Sequence, residues 1–281
     1  MTTNANLAAA AFGLAAAASW GGGDFTGGLS ARQAGVFSVA SFSRVTGIAA
    51  QISLALAFGE AAPSQASLLW AAAAGVAGSV GLIALYQSLA VGKMGINSPL
   101  TAVVAAAFPV LVAAISLGIP PAMRLIGFVV AVAGIWCLSR PSREMRPPRG
   151  LGLAALAGLG YGGFYVLISH VGGPSVFWPL AVATGTALLM MVGRTAVRRQ
   201  PWYPPRGVVG VALLAGLLDA GGNACFVLAA QTGRMDVAAV LGSLYPAFTV
   251  LLARVILDER LTRTQTAGLI AAIAALPLIA A

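Results

Sequence analysis

Charge is what this sequence lacks most. Only 8% of its 281 residues are Asp, Glu, Lys or Arg, against roughly 25% in a soluble domain. That shortage excludes an ordinary water-facing surface over most of the chain. Histidine occurs once, at His170, and the seven acidic residues are scattered. The His/Asp/Glu/Cys cluster that metal-assisted hydrolysis needs is therefore missing. No Ser–His pairing is evident, because His170 falls at a predicted helix end, where a solvated loop is the plainer reading. An intramembrane aspartyl protease wants two acids deep in facing helices, and Asp24 reads as too shallow to partner Asp219. Cys137 and Cys225 fall in different predicted helices and read as small hydrophobes, not as a disulfide or metal pair. The expectation is a protein that is not an enzyme and holds no cofactor or metal.

Apolar residues take the place of charge. The chain is 59% hydrophobic, with a mean hydropathy of +0.92. Its apolar runs approach the roughly 20 residues that a helix needs to cross a bilayer. Five are predicted over 7–28, 36–58, 68–91, 96–117 and 123–138, and five more over 151–169, 176–197, 208–230, 237–256 and 264–280. The longest connections, 139–150 and 198–207, carry Pro and Arg, as surface loops do. Residues 1–6 contain no Lys or Arg, which argues against a cleaved signal peptide. The net charge of +9 fits basic loops that set membrane topology better than a nucleic-acid surface, and no nucleic-acid partner is expected.

The chain resembles itself at one ungapped offset. Gly92-Lys93-Met94 and Gly233-Arg234-Met235 lie 141 positions apart, and the same offset pairs Pro63 with Pro204, Gly75 with Gly216, Gly81 with Gly222, Leu100 with Leu241, Gly127 with Gly268, and Trp20 with Tyr161. Such self-similarity indicates duplication. The expected fold is an all-α membrane protein: ten transmembrane helices in two inverted five-helix repeats, 1–140 and 141–281. The repeats are inverted because five spans is an odd number, and a substrate site is then expected near the midplane, where they face each other. The connections after helices 1, 3, 5, 7 and 9 hold Arg32, Lys93, Arg140, Arg143, Arg146, Arg149, Arg198, Arg199, Arg206, Arg260 and Arg263, against Arg124 and Arg234 on the other side. The positive-inside rule puts the odd connections in the cytoplasm and both termini outside. An interfacial arginine band that does not decide topology is the alternative.

Several short motifs then resemble a known family. Trp20-Gly21-Gly22-Gly23 and Tyr161-Gly162-Gly163 each place an aromatic before small residues in the first helix of a repeat. Asp258-Glu259-Arg260-Leu261 is similar to a Gly-Glu-Arg-Leu loop, and Leu244-Tyr245-Pro246 to a Leu-Glu-Pro motif in the helix before it. With the two five-helix halves, these resemble the EamA repeat of the drug/metabolite transporter superfamily, most closely YddG-type bacterial exporters of aromatic amino acids. The first repeat departs, with Gly118-Ile119-Pro120 where Glu-Arg-Leu is expected and its helix-4 proline at Pro109, one turn late. External termini are a second departure.

The resemblance implies a substrate pocket formed by helices 1, 3 and 4 and their copies 6, 8 and 9. On those helices Trp20, Tyr86, Tyr161, Tyr165, Phe226 and Tyr245 could wall a cavity for a bulky apolar group, with packing or lipid contact as the alternative. Gln87, Asn97, Ser98 and Asn223 could hold an amino-acid head group. Gly21, Gly22 and Gly23 thin helix 1 for close packing or a ligand. Pro99 and Pro109 interrupt the hydrogen-bond ladder of helix 4. Trp70, Trp136, Trp178, Trp202 and Tyr203 lie near predicted helix ends and read as an interfacial belt.

Ionisable groups in a membrane span are costly and informative. Asp219, halfway along helix 8, reads either as a coupling carboxylate that takes a proton or a substrate amine, or as a structural Asp bonded to Asn223 four residues on or to a neighbouring helix. Asp24 and Arg44 fall at similar depth on adjacent helices and read as a structural ion pair, with a gate as the sharper alternative. An anionic substrate would want Lys or Arg facing the cavity, yet the only lysine, Lys93, is in a loop and the arginines apart from Arg44 lie at helix ends. The expectation is a monomeric, multi-pass secondary transporter of the inner membrane. It would export small, partly apolar metabolites, aromatic and bulky apolar amino acids among them, by alternating access, with protons as a candidate coupling ion. An exchanger of other solutes, or a passive facilitator or channel, is the alternative.

Overall fold

A computed structural model describes residues 2–117, 122–139, 149–231, 241–242 and 244–280, and the described residues form helices and connections with no strand. In chain order the helices are α1 (Thr2–Gln33), α2 (Val36–Ala57), α3 (Gln65–Val91), α4 (Met94–Leu117), α5 (Ala122–Ser139), α6 (Leu151–Ile168), α7 (Phe177–Val197), α8 (Arg206–Gln231), α9 (Tyr245–Ile256) and α10 (Arg263–Ala280). The hydropathy runs anticipate each of them. The largest difference is α1, which extends past Gly28 to Gln33. The start expected for the ninth helix, at 237, and the motif at 118–120 lie outside the described residues, as do Arg140, Arg143, Arg146 and Arg234. Pro99 and Pro109 both lie within α4.

Local chemistry sets several boundaries. Ser64 caps α3 by accepting from the Ser67 amide at 3.2 Å. Thr262 and Gln265 form a reciprocal capping box at the start of α10, with amide-to-side-chain bonds of 3.1 and 3.2 Å. The amides opening α7 are capped from afar: the Glu60 carboxylate, beyond the end of α2, accepts from Val176, Phe177 and Trp178 at 2.9–3.1 Å.

Among the described residues, five helices are long and apolar enough to cross a membrane: Val36–Ala57, Gln65–Val91, Leu151–Ile168, Phe177–Val197 and Arg206–Ala229. The distribution of side chains agrees with a lipid surround. Buried apolar positions are dominated by alanine, whereas large aliphatic residues face outward, with Leu189 exposed 74% and Val129 71%. Lipid tails offer large side chains the same apolar surroundings that a protein interior would, so small residues are left to mediate close helix contact.

That contact is mostly between the two halves of the chain. α1 packs on α8 and α9, α3 on α6 and α7, α2 on α7 and α8, α4 on α6, α9 and α10, and α5 on α10. Glycine permits the closest crossings. At the α3–α6 crossing a Cβ on Gly160 would come within 2.5 Å of the Gly81 nitrogen. Gly21 and Gly23 abut backbone of α9 and α8 respectively, so the glycine run of α1 serves helix packing. The connections after α1, α3, α5 and α9 meet at one end of the bundle, and those after α2 and α6 meet at the other.

Candidate functional site

A cavity of about 700 Å³ runs through the middle of the bundle, within the range of small-molecule sites. α6 presents Tyr161, Phe164, Tyr165 and Ile168 to it, the 3–4 residue spacing of one helical face. Trp20 of α1, Phe226 of α8 and Tyr245 of α9 complete an aromatic wall. Trp20 and Phe226 are tilted at 39° with centroids 5.7 Å apart. The Trp20 indole N–H donates to Asn223 Oδ1 at 3.3 Å. Gly222 lets α8 approach, since a Cβ there would lie 2.5 Å from the Trp20 ring. The cavity reaches the connection between α6 and α7, where Val171, Gly173 and Ser175 line it.

Asp24, Arg44 and Asp219 line the same cavity. Arg44 Nη1 lies 3.3 Å from Asp219 Oδ2, the two side chains being 12% and 32% exposed. This corrects the expected pairing of Arg44 with Asp24. Asp24 lies within coulombic range of both Arg44 and Asp219 but makes no ion pair among the described residues. The longer α1 accounts for the geometry. It carries Asp24 deeper into the bundle than four residues from a helix end, so Asp24 is not too shallow to meet Asp219. Among the described residues Asp219 pairs with Arg44 and makes no hydrogen bond to Asn223, whose Oδ1 accepts from Trp20.

Of the residues singled out in the sequence, Trp20, Tyr161, Tyr165, Asn223, Phe226, Tyr245, Asp219, Asp24 and Arg44 come together at the cavity, and Tyr86, Asn97 and Ser98 lie outside its lining. Tyr86 is 2% exposed, its ring packed where a Cβ on Gly27 would stand. Asn97 Nδ2 donates to the Ser88 and Arg149 carbonyls at 2.9 and 3.0 Å, and Ser98 is fully buried. Polar character in an apolar span does not separate a residue that faces a cavity from one that satisfies backbone between helices.

Sequence reasoning missed α2 and α7 as walls. Gln51 lies seven residues after Arg44, on the same face of α2, and that spacing was a readable signal. Pro179, Ala183 and Thr184 line the cavity from α7 and carried no signal beyond smallness. His170 stacks on Trp70 with centroids 4.5 Å apart, and Cys137 and Cys225 are free thiols on α5 and α8.

The end of the bundle away from the α6–α7 connection is closed by a dense network. Glu259 accepts from the Met94 and Gly95 amides at 3.3 and 3.2 Å, capping α4, and pairs with Arg32 Nη2 at 3.1 Å. Arg32 also donates to the Leu89 and Gly92 carbonyls, and Lys93 Nζ to the Arg260 carbonyl. Ser88 Oγ bonds the Gly150 carbonyl at 2.9 Å. The helix-9 loop motif of the sequence thus forms a closing contact, where its carboxylate neutralises helix N-terminal amides.

No curated protein sequence matches this chain significantly. A solved crystal structure of a protein 14% identical covers 96% of each chain at a TM-score of 0.62, so the two share a fold. Residues 148–281 match the EamA-like transporter family. That match, over just under half of the chain, together with the long apolar helices, supports a multi-pass membrane protein and a place among the transporters of the drug/metabolite transporter superfamily.

Proposed function

We propose that the protein is a secondary transporter of the inner membrane that exports small, partly apolar metabolites by alternating access around the central cavity. Aromatic and bulky apolar amino acids, the cargo of YddG-type exporters, are the first solutes to test. One observation carries the reading. A cavity of about 700 Å³ with aromatic walls and charged groups in its lining reaches one end of the bundle, while the other end is closed by the Glu259 network. A carrier needs a site that communicates with one side at a time.

The helix contacts support two inverted five-helix repeats, 1–140 and 141–281, and ten spans. Exchanging α1–α5 for α6–α10 turns the α1–α8 contact into α3–α6, α4–α6 into α1–α9, and α3–α7 into α2–α8, and all of these are present. The basic residues Arg32, Lys93, Arg149 and Arg260 gather at the closed end, which supports a cytoplasmic closed end and external termini. Asp219 remains the candidate for proton coupling, now with Arg44 as its counter-ion. The carrier works as a monomer in this proposal.

Trans-stimulated counterflow in proteoliposomes tests it. A panel of radiolabelled amino acids, amines, sugars and organic anions should include solutes whose uptake saturates and accelerates when unlabelled solute is trapped inside. Flux that rises linearly with concentration and ignores the trapped solute would instead mark a passive pore.

A further inference from the structure

We infer that the cavity selects a cationic amine on an aromatic or other apolar body, and disfavours substrates that carry their own carboxylate. This rests on the carrier reading and narrows its substrate class.

The described carboxyl and guanidinium groups lining the cavity are Asp24 and Asp219 beside Arg44. Arg44 is held by Asp219 at 3.3 Å, which leaves Asp24 with no ion pair of its own among the described residues, sharing Arg44 only at longer range. A buried unpaired carboxylate is costly, and a ligand cation removes that cost. The wall around it suits the same ligand. Tyr161, Tyr165 and Tyr245 all lie within coulombic range of Asp24, and Trp20 is one turn away on α1. A cation over aromatic faces gains from the ring quadrupoles, as in the cages that bind ammonium groups.

Hydrogen bonding points the same way. Gln51 lines the cavity, is 1% exposed, and its Oε1 has no partner. An alkylammonium brings three donors and no acceptor, which suits the Asp24 oxygens, and Gln51 Oε1 is a further unpartnered acceptor in the same lining. An amino-acid carboxylate would stand among two acidic side chains. Its best partner would be Arg44 Nε, which also lacks a bond, and that is the competing arrangement the experiment must separate.

Three ligands with one ring and different charges decide it: 2-phenylethylamine (cation), phenylalanine (zwitterion) and 3-phenylpropionate (anion). Their binding to the purified full chain in nanodiscs is measured by calorimetry. The amine should bind at least tenfold tighter than phenylalanine, with the anion weakest. Asp24→Asn should weaken the amine by tenfold or more and leave the other two within about threefold, while Asp24→Glu retains amine binding. Phenylalanine binding as tightly as the amine would place a carboxylate at Arg44 and overturn the inference. So would an Asp24→Asn variant that weakens all three alike, or an amine that does not bind. If Asp24→Asn fails to fold, the wild-type ranking still decides. Counterflow of any solute in the wider panel would keep the carrier reading intact when the amine preference fails.

Discussion

Arg44 is the cation around which the cavity's charges are arranged, and removing it should be the most damaging single change among them. Arg44→Gln leaves Asp24 and Asp219 with no guanidinium in the described lining. Breaking a buried ion pair by deleting one partner costs about 3–5 kcal/mol. Asp219 is 32% exposed, so water and salt screen part of this, and the low end, about 3 kcal/mol, applies. Asp219→Asn should cost less, about 1.5 kcal/mol, the low end for a hydrogen bond to a charged group, because Arg44 keeps Asp24 within coulombic range. The double variant Arg44→Gln/Asp219→Asn should then be more stable than the sum of the two losses implies, with a coupling of about 1–2 kcal/mol. Equilibrium unfolding in mixed detergent micelles, followed by tryptophan fluorescence, gives all four free energies. Additivity to within about 0.5 kcal/mol would refute the pairing. A stronger coupling of Arg44 with Asp24 than with Asp219 would restore the pair read from sequence.

Tyr86→Ala should lower stability by about 3–5 kcal/mol, since its ring fills the space beside Gly27 and its hydroxyl bonds Arg44; a thermal unfolding shift no larger than that of Gly210→Ala would contradict that packing. Trp20→Ala should raise half-saturation for bulky substrates several-fold, and unchanged values for Trp20, Tyr161 and Phe226 variants together would move the pocket elsewhere. Gly160→Ala should lower folded yield by overpacking Gly81, at about 1–3 kcal/mol, whereas Gly210→Ala, with open space around its position in α8, should be neutral or stabilising by about 0.5–1 kcal/mol; equal effects of the two in a thermal unfolding assay would contradict the helix crossing. Reporter fusions after Ala281 should show phosphatase activity and no cytoplasmic fluorescence.

Run length and hydropathy made the helices legible, because a bilayer demands long apolar segments whatever the tertiary contacts. Trp20 and Tyr161 carried a local signal, an aromatic beside glycines, whereas Tyr165, Phe226 and Tyr245 had no glycine neighbour to mark them. Ion-pair partners were not legible. Arg44 and Asp24 are close in sequence and joined by a short connection, so proximity argued for them. The bundle instead packs α2 on α8 and brings Asp219 across from the other half. Asn97 and Asp219 looked alike as polar residues in apolar spans, yet one bonds two backbone carbonyls and the other faces a cavity. Only the packing of distant segments separates those cases. Glu259 was visible as part of a loop motif, but its role as the cap of α4 depends on a contact with the opposite half of the chain.

The claim at the centre of this account is that one cavity is exposed to the two faces in turn. Cysteine accessibility tests it most directly, with the native Cys137 and Cys225 replaced by alanine. A reporter at Thr184→Cys lies in the cavity wall, and one at Leu89→Cys lies fully buried near the Arg32–Glu259 contact. In the variant with Glu259→Gln, which loses the charged cap on α4, labelling at position 89 should rise and labelling at position 184 should fall, and a transported substrate should shift both in the wild-type background. Labelling that stays constant at both positions, or rises at both together, would contradict alternating access.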